Sequence, residues 1–105
     1  MDESIVRHLE QQQVGKLKLS EAMRIGARLR PQCCSGDLFV GGKSCAVGAA
    51  MEAIGVPYTE NMGSYSPAAE YWPFLPTLFG VITDLNDSQF CTREKIADWV
   101  EAQGY

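Results

Sequence analysis

A single histidine, His8, is the only imidazole in the chain, and its scarcity narrows the chemistry available. A nucleophilic cysteine needs a general base, and a zinc site draws on histidines or paired cysteines. His8 lies in a polar N-terminal stretch and is read as facing solvent. The four cysteines, Cys33, Cys34, Cys45 and Cys91, contain no Cys-x-x-Cys pair, and neighbours such as Cys33 and Cys34 seldom point at one metal. No metal site is expected. Positive charge is short too. Nine Lys and Arg against thirteen Asp and Glu leave a net charge of −4, which argues against a nucleic-acid partner. No apolar run reaches the length of a membrane span, and the opening MDESIVRHLE lacks the apolar core of a signal peptide. The expectation is a cytoplasmic protein with free thiols and no membrane contact.

A nucleotide site is missing as well. The text GGKS at Gly41 to Ser44 has the ending of a phosphate loop. That motif needs a glycine five positions before Gly42, where Asp37 stands, and a buried strand leading in, where the chain has PQCCSG. The run Gly80 to Asp84 resembles a second nucleotide motif, but 105 residues are too few to supply the sheet. No cofactor is expected.

What the chain does have is GGKSCAVGAAMEAIG, from Gly41 to Gly55. Ser44 is read as an N-cap and Gly55 as a stop. Between them Cys45, Ala46, Gly48, Ala49 and Ala50 carry so little bulk that neighbouring helices can approach the backbone, with Val47, Met51 and Ile54 filling the gaps. This short helix is read as the packing hub. Its start presents unpaired N–H groups and a partial positive charge beside Lys43 and the Cys45 thiol, a setting that can lower a thiol pKa.

Around it the apolar spacing places further helices. Asp2 to Gln13 carries Ile5, Val6 and Leu9 at helical spacing and is read as a loosely packed helix within 1–15. Ser20 is read as the cap of a helix running to Arg30, ended by Pro31 and burying Ala22, Ile25, Gly26 and Leu29. Leu38 to Val40, between two turns, suits a short strand or an extended plug. Pro67 opens a helical turn to Tyr71, and Trp72, Phe74 and Leu75 suit a cover over the small-residue helix. Pro76 begins a helix with Leu78, Val81, Ile82 and Leu85, with a strand over Phe79 to Ile82 as the alternative. Thr92 caps a last helix, Arg93 to Ala102, burying Ile96, Trp99 and Val100. The predicted fold is therefore mainly α. It is one compact domain over 1–105, with four to five helices around the central one and at most a minor β-hairpin.

CAVGAA at Cys45 to Ala50, LND at Leu85 to Asp87, REKIADWVE at Arg93 to Glu101 and LSEAMRIGARLRPQ at Leu19 to Gln32 resemble a family of short bacterial and phage-encoded proteins. The resemblance covers most of the chain after residue 16 and brings no catalytic residue with it. Asn86 and Asp87 have two readings: a local turn, or a polar pocket shared with the start of the Cys45 helix.

Two function classes follow. The first is a non-enzymatic protein–protein interaction module, a phage-type modulator of a host protein. It would bind an unidentified protein partner, or a second copy of itself, through Tyr58, Tyr65, Tyr71 and Trp72, with Lys43, Asn86 and Asp87 as further binding candidates. Tyr65 and Tyr71 are expected to stay exposed. The second is a small hydrolase or transferase using Cys45, with Asn86 or Asp87 as polar support.

Overall fold

The computed structural model describes residues 17–105. The stretch from Asp2 to Gln13 and His8 lie outside the described residues. The elements in order are α1 (Leu19–Gly26), β1 (Phe39–Val40), β2 (Lys43–Ser44), α2 (Ala46–Ala53), α3 (Ser66–Tyr71), α4 (Leu75–Thr83) and α5 (Arg93–Ala102). A single π-helical turn, Asp84–Ser88, continues α4. Among the described residues the fold is mainly α, five helices with one two-stranded antiparallel hairpin. No helix of the described residues is long and apolar enough to cross a membrane.

Helix α2 sits at the centre, against α1 and in contact with α3, α4, α5 and β2. Ala46 to Ala50 and Met51 are all buried. Two glycines explain how closely its neighbours come. A methyl group at Gly26 of α1 would overlap the Ala49 carbonyl, and one at Gly48 would overlap the Leu38 carbonyl. The small residues are therefore required where backbone meets backbone. The hairpin turns at Gly41 and Gly42, with φ of 59° and 76°. Both signs suit a two-residue turn with the right-handed twist of the flanking strands. Phe39 then pairs with Ser44, and Val40 with Lys43. A parallel bridge from Gln32 to Ser44 and an antiparallel one from Phe39 to Met62 cover the two outer edges.

Two helix caps and the end of α1 differ from the sequence expectation, α1 stopping at Gly26 and not running on to Arg30. Ser44 is not the cap of α2. It belongs to β2 and is fully buried, and Cys45 takes the cap position with extended backbone, its Sγ accepting the Gly48 N–H at 3.4 Å. The strand holds Ser44 extended, so the chain can turn helical only one residue later. Ser20 likewise lies inside the first turn of α1, where its Oγ donates to the Tyr105 carbonyl at 3.3 Å, and Lys18 occupies the cap position. The α1 stripe is rotated as well. Leu19, Ala22, Met23 and Gly26 are buried, whereas Ile25 and Leu29 are 41% and 54% exposed. Contact at Gly26 selects the residues three, four and seven positions before it, which turns Ile25 outward. The same holds for Val81, exposed on α4 while Leu75 and Ile82 are buried, and the strand alternative for Phe79 to Ile82 is not taken.

Arg93, the first residue of α5, is buried without a carboxylate partner among the described residues. Its Nη1 donates to Ser44 Oγ at 2.9 Å and to the Ser44 carbonyl at 3.4 Å. Its Nη2 donates to the carbonyls of Arg30 and Ala27, at 2.7 and 3.1 Å. One planar group thus joins α5, β2 and the carbonyl end of α1. Nε has no partner among the described residues. Burial lowers the Arg93 pKa, although it stays a cation at any ordinary pH. Arg24, by contrast, pairs with Asp98 and Glu101 at the surface.

Two outcomes are expected in thermal or denaturant unfolding. Arg93→Lys loses the fork geometry and strands carbonyls, costing about 3 kcal/mol, whereas Arg24→Ala, at a solvent-screened surface pair, leaves stability nearly unchanged. Gly26→Ala and Gly48→Ala each cost on the order of 1 to 3 kcal/mol or more. Gly80→Ala, where a Cβ meets open space within α4, stabilises by about 0.5 to 1 kcal/mol. Equal melting of the three glycine variants would remove the backbone-contact explanation of α2.

Candidate functional site

The sequence brings its polar residues together where α2 begins. The π-turn places Asn86, 1% exposed, against the start of α2. Its Oδ1 accepts from the Ala46 N–H at 3.1 Å and from Gln32 Nε2 at 2.8 Å. Its Nδ2 donates to the Cys33 carbonyl at 2.8 Å and to Asp87 Oδ1 at 2.7 Å. Gln32 Nε2 also reaches the Cys91 carbonyl at 2.8 Å. A single amide therefore fastens the α2 start to the 32–34 segment and to α4. With the Gly48 amide taken by the Cys45 sulfur, two of the first amides of α2 are already occupied.

Beside this junction is a partly enclosed cavity of about 170 Å³. Leu38, Val47, Met62 and Ile82 give it apolar walls. Tyr65 and Phe79 line another side, stacked at 4.0 Å between centroids and 10° between planes. Cys45, Thr83, Asn86, Asp87 and Asp37 bring its polar atoms, and Gly36 and Gly63 lie exposed among its lining residues. Among the described residues no Lys, Arg or His lines it.

Cys45 faces this cavity as a buried thiol. Its pKa is pushed up to about 11, chiefly by burial, against the smaller opposing effect of the Gly48 N–H. Desolvation of the thiolate outweighs the helix start, so the thiol is protonated at neutral pH. Cys33 is raised in the same direction, again by burial first.

The other candidates are placed elsewhere. Lys43 is exposed on the hairpin and lines a separate open groove with Gln32, Cys33, Cys34 and the exposed Phe90. Tyr58 packs on Phe39 with the Arg30 guanidinium 4.4 Å over its ring, accepts the Gly42 N–H at 2.8 Å and donates to the Glu60 carboxylate. Tyr71 and Trp72 anchor the chain entering α1. The Tyr71 hydroxyl accepts the Leu17 N–H and Trp72 Nε1 donates to the Leu17 carbonyl, both at 2.8 Å. Trp72 is 3% exposed. Tyr65 and Tyr71, expected at the surface, are both half-buried. Of the sequence candidates, Cys45, Tyr65, Asn86 and Asp87 meet at the cavity, while Lys43, Tyr58, Tyr71 and Trp72 do not. Asp37, Phe79 and Thr83 were missed. Asp37 sits in a turn sequence and Phe79 within a helical apolar run, so neither carries a pattern pointing to a site.

Comparison with protein-family models, with curated proteins and with solved structures returns no match.

Thiol chemistry checks the placement of Cys45. With a disulfide reagent at pH 8, exposed Cys34 should label first and half-buried Cys91 next, with Cys33 and Cys45 reacting only on unfolding. A folded-state pKa of about 11 against an ordinary 9.0 means that the unfolded chain releases this proton first as pH rises. Stability is then full below pH 9 and falls by on the order of 2 kcal/mol toward pH 11. Cys45→Ala should flatten that fall, and an unchanged pH profile in the variant would count against the buried thiol as its cause.

Proposed function

We propose that this chain is a non-enzymatic interaction module, a phage-type modulator of a bacterial host protein, and that it meets its protein partner at the mouth of the cavity. The observation that supports this is the cavity itself, assembled from the 36–38 segment, the start of α2, the 62–65 segment and the end of α4. A concave, largely apolar site with a few convergent polar groups is the usual form of a small-molecule site, and pockets of this kind also receive the anchoring side chains of a protein interface. The alternative of a hydrolase or transferase using Cys45 fits less well. A thiol raised to about 11 is not a ready nucleophile, and among the described residues no imidazole stands beside it.

Gly63 gives a clean test, because a Cβ there meets no atom within 4 Å, the backbone is not left-handed, and the residue lies among the cavity lining. Immobilised wild-type protein and Gly63→Trp are incubated with a bacterial lysate, and retained proteins are identified by mass spectrometry. The partner kept by the wild type should be weakened about 10-fold or more, on the order of 1.4 kcal/mol, at an unchanged melting temperature. Retention of the same proteins by both would place the contact away from the cavity.

A further inference from the structure

Four properties of the cavity together define what fits it. The first is size. A cavity of about 150 Å³ holds a benzene ring, so one of about 170 Å³ has room for a four-carbon stem or a planar guanidinium. The second is shape of chemistry: an aliphatic wall from Leu38, Met62 and Ile82, and the stacked aromatic rings of Tyr65 and Phe79. Aromatic rings can attract a cation as well as cover an alkyl chain.

The third property is charge. Asp37 and Asp87 both line the cavity, and no cationic side chain among the described residues does. Each carboxylate has one oxygen engaged locally. Asp37 Oδ2 accepts from Ser35 Oγ at 3.3 Å, and Asp87 Oδ1 accepts from Asn86 Nδ2 at 2.7 Å. Among the described residues no donor reaches Asp37 Oδ1 or Asp87 Oδ2, and neither aspartate is in an ion pair, although Glu52, Asp98 and Glu101 all are. Their charge is felt inside. Burial is the main cause of the raised thiol pKa of Cys33 and of Cys45, and the Asp87 carboxylate adds to both.

The fourth property excludes the opposite charge. A helix start commonly receives an anion on its free amides. Here the Ala46 amide is bonded to Asn86 and the Gly48 amide to the Cys45 sulfur. An anion would meet two carboxylates and find those donors already spent.

We propose that the cavity receives a basic side chain, the ammonium or guanidinium group of a lysine or arginine of the partner protein, with its stem along the apolar wall and its charge between Asp37 and Asp87. This rests on the interaction-module reading and names the group that the module takes hold of.

The test uses the 105-residue chain and two matched probes, N-acetyl-lysine methylamide and its neutral counterpart N-acetyl-norleucine methylamide, titrated by two-dimensional NMR. The lysine probe should shift the amide signals of Gly63, Thr83 and Asp87 saturably and bind at least 10-fold more tightly than the norleucine probe. The double variant Asp37→Asn, Asp87→Asn, which keeps the local acceptors, should erase that preference while its melting temperature stays close to the parent. Equal binding of both probes, no saturable shift at those amides, or an undiminished preference in the double variant would each overturn the proposal. The lysate experiment separates the two readings. A partner lost with Gly63→Trp but kept by the double variant leaves an interaction module whose pocket does not read charge, which overturns the cation site. Lysine binding with no retained partner leaves the cation site standing without the protein-binding role.

Discussion

The buried guanidinium of Arg93 is the contact on which the arrangement of elements depends. A cation removed from water must be surrounded by acceptors, and here they come from two other parts of the chain, the carbonyl end of α1 with the segment that follows it and the second strand of the hairpin, so that the guanidinium ties both to α5. Helix ends leave carbonyls unpaired, and Arg93 takes up that of the Ala27 cap together with the Arg30 carbonyl farther along the chain. Its geometry also fixes Ser44, and through Ser44 the residue at which α2 can start. The start of α2, and with it Cys45 at the cavity, is therefore positioned at one remove from a residue that does not line it.

Much of this architecture was legible in the residues, and what was not has a physical reason. The small-residue run from Cys45 to Ala50, the cap at Thr92 and the turn at Gly41-Gly42 are local signals, and the structure uses all three. Ser44 and Ser20 failed as caps because both are taken up by distant partners, Arg93 and Tyr105, which no local pattern reveals. Ile25 and Leu29 satisfied helical spacing equally well in two rotations of α1, and only the backbone contact at Gly26 chooses between them. Arg93 was hidden for the opposite reason. In sequence it is one more charged residue at the start of a helix, and charged residues are almost never buried.

The cavity shows the same division. Asn86 and Asp87 stand out in the chain because they interrupt an apolar run, and Cys45 because it opens α2. Tyr65, Asp37 and Phe79 join them only through tertiary packing across three connections. The position of Cys45 illustrates how burial can reverse a sequence-level inference. A helix start favours a thiolate, yet with Cys45 only 6% exposed the loss of hydration dominates and the proton is held more tightly. Tyr71 and Trp72 make a related point. Their polar tips are spent on the Leu17 backbone, so the aromatic richness of the 58–74 region is divided between fastening the chain and lining the pocket.

The bridges flanking the hairpin have a bearing on recognition. A two-stranded ribbon ordinarily offers two rows of unpaired backbone groups, an open template on which a foreign strand can extend the sheet. Here Gln32 closes one side and Met62 the other. Main-chain zippering, which is tolerant of the incoming sequence, is thereby shut off on both flanks. Whatever this surface holds must be told apart by the shape and charge of its side chains.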